Sequence, residues 1–232
     1  MKLNSYIKKN KLSSLLLKKN VFMNKFTKSK FEKKIIVKIV GGYTVSDLQD
    51  WTDIFCKFNK IECNFTEHQW GSGFSSLLNI SGKNNDENYL IIINSWRDLF
   101  APNNLDELIT TPSEIIKIFE AYKKYNKSKI IISLFDYPDI EISIKQKNLK
   151  NVINHLNNEI YKIFENNSSF SILSEQQNVL SNSIEWHSQR DWHSFGKVLT
   201  AEASLIVSNT ISKVIKSSFQ PSKKVLILDL DN

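Results

Sequence analysis

The chain is poor in the residues that staple, break or kink a fold. Its 232 residues include 2 cysteines, 4 prolines and 6 glycines. So little proline and glycine excludes collagen-like and proline-rich architectures. Cys56 and Cys63 stand seven residues apart, with neither a CxxC pair nor the histidine spacing of a zinc site. They read as two separate thiols in a reducing compartment. No run of about 18 apolar residues occurs, so no transmembrane segment is expected. The stretch Leu12–Leu17 is too short and too polar for the apolar part of a secretory leader, which predicts a cytoplasmic location. Arginine is confined to Arg97 and Arg190. A nucleic-acid face would carry more of it on the folded part, so no nucleic-acid partner is expected.

What is present suits a globular core. Hydrophobic residues make up 41% and aromatics 11%, well above a disordered chain. A chain of this length buries roughly 70% of its unfolded surface, so no metal or disulfide is needed to hold a core. The net charge of +7 is a property of one end. Residues 1–33 hold ten lysines and one acid, Glu32, whereas the remainder has 21 basic and 23 acidic residues. Residues 1–33 therefore read as a basic, solvated lead-in, partly helical or disordered, with Leu3, Ile7, Leu12, Leu15, Leu16 and Phe22 as its apolar stripe.

From residue 34 the pattern changes. Ile35–Val40 is a β-branched run closed by Gly41-Gly42, and it reads as a buried parallel strand ending in a tight turn. Ser46 reads as an N-cap before a helix carrying Leu48, Trp51, Ile54, Phe55 and Phe58. Further strands are expected at 61–65, 89–93, 129–134 and 170–173. Further helices are expected at 70–78, from Pro112, at 149–164 and at 199–215. Strands alternating with helices predict an α/β domain over 34–216, a three-layer sandwich with a parallel sheet of about five strands. Residues 217–232 read as a linker followed by one more strand, 224–229.

That last strand, Lys224-Val225-Leu226-Ile227-Leu228, delivers Asp229 and Asp231 at its carboxyl end. Two carboxylates at i and i+2 beyond an apolar strand suit phosphoryl transfer with a hard cation: one attacks phosphorus, the other handles the leaving-group proton. KKVLILDLDN resembles the first motif of the haloacid dehalogenase superfamily. In its wider context it resembles FkbH-like proteins of subfamily IIIC, whose amino-terminal domain is similar to SGNH hydrolases. IIVKIVGGYTVSDL (35–48), NYLIIINSWRDLF (88–100) and RDWHSFGKVLTAEASLIVSNTISKVI (190–215) resemble stretches of that amino-terminal domain.

The resemblance implies an SGNH- or flavodoxin-like sandwich, followed by the stray first strand of a phosphatase-like domain. It implies Asp229 as nucleophile, Asp231 as general acid/base, and both as ligands of Mg²⁺ in the full-length family. It implies transfer of glyceryl or acyl groups in polyketide or lipid biosynthesis, with an acyl carrier protein as partner. The later phosphatase motifs do not occur in these 232 residues, so the resemblance implies a chain truncated at the first motif. This chain alone is therefore expected to be inactive and to bind no metal.

The amino-terminal domain also offers chemistry of its own. An SGNH hydrolase places Gly-Asp-Ser after its first strand, where this chain has Gly41-Gly42-Tyr43-Thr44. Gly41, Gly42, Thr44, Asn94 and Arg97 are candidate substrate-binding residues. The glycines would let backbone N–H groups approach a ligand. Thr44 offers a hydroxyl, Asn94 an oxyanion donor, and Arg97 a fork for phosphate or carboxylate. His187 and His193 are candidate bases, although Asp191-x-His193 is one residue short of the SGNH Asp-x-x-His. Three functions remain open: the amino-terminal part of an FkbH-like enzyme, a free-standing SGNH-like esterase or acyltransferase, or a non-catalytic module that binds a carrier protein.

Overall fold

The computed structural model describes residues 11–26, 29–66, 88–101, 104–108, 111–125, 128–138, 148–165 and 169–219. The expected helix at 70–78 and the terminal strand at 224–229, with Asp229 and Asp231, lie outside these residues.

Two short helices, α1 (Leu12–Leu16) and α2 (Lys19–Lys25), lead into β1 (Lys33–Val40), α3 (Ser46–Phe58), β2 (Ile61–Phe65) and β3 (Tyr89–Ile92). A 3₁₀ turn (Trp96–Leu99) and a small antiparallel pair, β4 (Phe100–Ala101) and β5 (Asn104–Leu108), follow. Then come α4 (Pro112–Tyr125), β6 (Lys129–Ser133), α5 (Leu149–Phe164), β7 (Phe170–Leu173), α6 (Glu175–Ser181), α7 (Gln189–Phe195) and α8 (Ala201–Ser217).

The main sheet has five strands in the order β2-β1-β3-β6-β7. All four pairings are parallel. The β-branched runs in Ile35–Val40, interrupted only by Lys38, and in Ile130–Ile132 explain this, because a parallel sheet is covered on both faces. Successive residues face opposite sides. Ile39, Ile91 and Ile131 therefore enter one core with Trp51 and Ile54 of α3 and Leu205 and Ile211 of α8. Leu90, Ile92, Ile130 and Ile132 enter the other with Ile115 and Phe119 of α4 and Ile153 and Leu156 of α5. This is the expected three-layer α/β sandwich.

The crossover through α3 covers one face, and those through α4 and α5 cover the other. The chain therefore reverses its winding between β1 and β3, which creates a crevice at the carboxyl ends of those strands.

Two expectations need correction. The lead-in is not wholly solvated. Leu12 and Leu15 are buried in the α3/α8 core, and Phe22 and Met23 pack against it. Lys19 of α2 bonds Asp47 at 2.9 Å and Asp50 at 2.6 Å, both on α3. Ser46 is the first helical residue, and the N-cap position is Val45.

Candidate functional site

The crevice between β1 and β3 is filled by the protein's own polar groups. Just past β3, the sequence Ser95-Trp96-Arg97-Asp98 forms a capping box. The Ser95 hydroxyl accepts from the Arg97 N–H, and the Asp98 carboxylate accepts from the Ser95 N–H at 2.8 Å. This closes the 3₁₀ turn and holds both side chains at the strand ends. From β1, Gly42 donates its N–H to Asp98. A Cβ on Gly42 would lie 1.9 Å from Asp98 Oδ1. The glycine is required by this close approach.

Asp136, three residues past β6, is the centre of the cluster. Its Oδ1 accepts from Trp96 N–H at 2.8 Å and from Ser95 Oγ at 3.1 Å. Its Oδ2 accepts from Trp186 Nε1 at 2.9 Å and meets His187 Nε2 at 2.8 Å. The Asp136 and His187 side chains are each 3% exposed. An ionised carboxylate offers about four lone-pair sites, and here four donors from two segments, 95–96 and 186–187, occupy them. Since that carboxylate only accepts, His187 Nε2 carries the proton in this contact. The segment bearing Trp186 and His187 is held by α8. His187 bridges Leu199, Thr200 N–H donates to the Trp186 carbonyl at 3.1 Å, and Thr200 Oγ1 donates to the Glu185 carbonyl at 2.6 Å.

The electrostatics follow from burial. Loss of water pushes the Asp98 carboxyl up to about 7; the neighbouring Asp136 charge adds to this, while the Ser95 and Gly42 N–H groups oppose it. Burial also raises the Tyr43 phenol well above its usual value, helped by Asp98 and Asp136.

Beside this filled crevice, toward β6 and β7, lies an open cavity of about 360 Å³. Asn94 and Asp136 form its boundary with the crevice. Its other walls include Ser133, Tyr137, Asn157, Gln176 and Trp186. Two side-chain amides fix one wall. Asn157 accepts from Phe135 N–H at 2.8 Å and donates to its carbonyl at 3.0 Å. Gln176 does the same for Tyr137 at 2.8 and 3.0 Å.

No protein-family model matches the chain, and no curated protein sequence matches it. A solved structure does: the N-terminal part of BF1531 from Bacteroides fragilis, reported as containing a phosphatase domain complexed with Mg. It aligns with a TM-score of 0.66 at 16% identity, over 86% of this chain. What the two share is the fold. This chain spans 56% of that BF1531 chain.

The candidate residues from sequence fall into two groups. Gly41, Gly42, Asn94, Arg97 and His187 come together at the carboxyl ends of β1 and β3 or beside Asp136. Gly42 is closed off by Asp98, so the group its N–H approaches is a carboxylate of the protein itself. Asn94 is bound to β6: its N–H donates to Ser133 Oγ at 2.8 Å and its Nδ2 to the Ser133 carbonyl at 2.5 Å. Arg97 is half-buried between the rings of Trp96 and Trp192, at 4.5 and 4.6 Å. Thr44 lies apart, with its hydroxyl donating to the Phe195 carbonyl at 2.8 Å. His193 is exposed on α7.

Sequence reasoning missed Asp136, Asp98, Ser95 and Tyr43. An available signal was an acid just past a β-branched strand, in Phe135-Asp136-Tyr137-Pro138. The Ser-x-x-Asp spacing of residues 95–98 was another.

The magnesium reported with BF1531 has no counterpart site among the described residues. No group of three His, Cys, Asp or Glu side chains there is placed to hold a metal. Asp136, the most central carboxylate, already has its lone pairs engaged by N–H and O–H donors. These described residues do not fit the ion.

Proposed function

We propose that this chain is the amino-terminal α/β part of an FkbH-like phosphatase or transferase acting on glyceryl or acyl groups carried by an acyl carrier protein. The observation that carries this reading is the fold likeness to the N-terminal part of BF1531, a structure reported with a phosphatase domain and Mg. The Asp229-Leu230-Asp231-Asn232 sequence supports it from a separate direction. On this reading Asp229 attacks phosphorus as the bond to the leaving oxygen breaks, and Asp231 supplies that oxygen's proton. Bound Mg²⁺ would neutralise charge on the phosphoryl oxygens. The lysines of residues 1–33 would meet the carrier protein's acidic surface.

The free-standing esterase reading is less favoured. The Ser95 hydroxyl donates to Asp136 and the Thr44 hydroxyl to a backbone carbonyl. Neither donates to an imidazole, as an activated nucleophile would. His187 meets Asp136 through Nε2.

The test starts at the gene. It is sequenced past codon 232, and the encoded protein is assayed for Mg²⁺-dependent phosphate release and for glyceryl transfer to a carrier protein. Asp229→Asn should abolish turnover, and Asp231→Asn should slow it by about 10²–10⁴-fold. A reading frame that closes at Asn232 with no phosphatase-like domain adjoining would overturn the proposal.

A further inference from the structure

We infer that the cavity between β6, β7, α5 and α6 binds a neutral small molecule rich in amide or hydroxyl groups, and rejects phosphates and carboxylates. Its volume of about 360 Å³ falls within the usual range of small-molecule sites, about 300–1,000 Å³. Its lining contains no lysine, arginine or histidine among the described residues; the charged side chains there are Asp136 and Glu175. An anion entering would meet these two carboxylates and, among the described residues of the lining, no cation, in a partly desolvated space where charges interact strongly.

Asp136 does not read the ligand either, because its lone pairs are held by Trp96, Ser95, Trp186 and His187. That leaves neutral hydrogen-bonding groups. Ser174, Gln177 and Asn158 stand exposed at the rim, and amide side chains both donate and accept. Leu134, Phe135, Leu173 and Trp186 supply apolar contact area deeper in. The paired amide contacts of Asn157 and Gln176 hold the 135–137 backbone before any ligand arrives. A preformed wall lowers the ordering cost of binding.

This inference rests on the cavity's lining and does not depend on phosphoryl chemistry at Asp229. A matched pair of probes tests it on the 232-residue chain: pantetheine, a neutral diamide with hydroxyls, and 4′-phosphopantetheine, the same molecule with a phosphate. Calorimetry and ligand-observed NMR measure both. Pantetheine should bind saturably, and the phosphorylated probe at least ten-fold more weakly. Asn158→Trp, at the exposed rim, should reduce pantetheine binding at least ten-fold while the far-UV circular dichroism spectrum and thermal midpoint stay those of the parent. If that variant fails to fold, Gln177→Trp, also at the rim, replaces it.

Equal or tighter binding of the phosphorylated probe overturns the inference. So does binding of neither probe, or pantetheine binding unchanged in a folded rim variant. None of these results bears on the Mg²⁺-dependent activity, so failure here is distinguishable from failure of the phosphatase reading.

Discussion

At the scale of single residues, the cluster past β1 and β3 is held by contacts with no slack. Gly42→Ala drives a methyl group into Asp98 Oδ1. The carboxylate must move, and the Gly42 and Ser95 N–H groups lose their acceptor. Overpacking of this kind costs about 1–3 kcal/mol, which urea unfolding of the variant should show. Asp98 also sets a pH dependence. Its carboxyl titrates near 7 when folded, against an ordinary value of 3.8. Between those limits the native state holds a proton that the unfolded chain has released. Stability therefore falls as pH rises. The contribution is complete below the unfolded value and is lost on passing through about 7. Thermal midpoints of the parent should decline from pH 4.5 to 7 relative to Asp98→Asn, which lacks this titration; parallel curves would refute the assignment. Asp98 and Asp136 were not legible as a site in the sequence. Donors and acceptors that meet there come from segments around residues 42, 95–98, 136 and 186–187, and no local spacing reports such a meeting. Arg97 and His187 were legible as chemically capable residues, but not as residues already engaged by Trp96, Trp192 and Asp136.

At the scale of elements, the lead-in shows where composition and periodicity disagree. Its lysine run speaks for solvent, whereas its apolar stripe speaks for a packed helix, and α1 and α2 follow the stripe. Leu15 is 1% exposed against the α3/α8 core, so Leu15→Ala should cost about 2–5 kcal/mol. The ion pairs of Lys19 matter less. Burial alone would raise the Asp47 carboxyl, but the Lys197 and Lys19 ammonium groups overcome this and hold it below its usual value. Lys19 and Asp47 are nevertheless about a quarter exposed, where such pairs are worth roughly 0–1 kcal/mol. Lys19→Ala should then shift stability by less than about 1 kcal/mol; the same chemical unfolding measurement ranks the two variants. If Lys19→Ala proved the costlier, the lead-in would be held by charge and not by packing. The sheet was more legible, because β-branched runs such as Ile130–Ile132 admit few readings other than a buried parallel strand. The helix over Leu149–Phe164 was legible from its repeat of Val152, Ile153, Leu156, Ile160 and Ile163. The β4–β5 pair and the helices α6 and α7 were not, since elements of two to seven residues are too short to display a period.

At the scale of the whole molecule, the two cysteines report how the sandwich opens. Cys56 lies on α3, covered by the core it shares with α8, and Cys63 lies on β2, the edge strand of the sheet. Both are buried free thiols. A hydrogen bond with Cys56, together with burial, raises the Cys63 thiol far above its ordinary value, and a thiol held protonated is a poor nucleophile. Both should resist iodoacetamide in the native protein at neutral pH. Their release should differ, however. Among the described residues β2 is paired with β1 alone, so fraying of this sheet edge exposes Cys63 without unfolding the rest. Cys56 becomes accessible only when α3 leaves the sheet, which dismantles the core holding Trp51, Ile54 and Leu205 together. Local and global openings of this kind span the range from near zero to the full unfolding free energy. Pulsed labelling across a urea series, read by peptide mass spectrometry, should show Cys63 modified at low denaturant and Cys56 only along the global transition. Simultaneous labelling at all urea concentrations would mean that β2 and α3 open as one unit, and that the edge of this sheet is as firmly held as its centre.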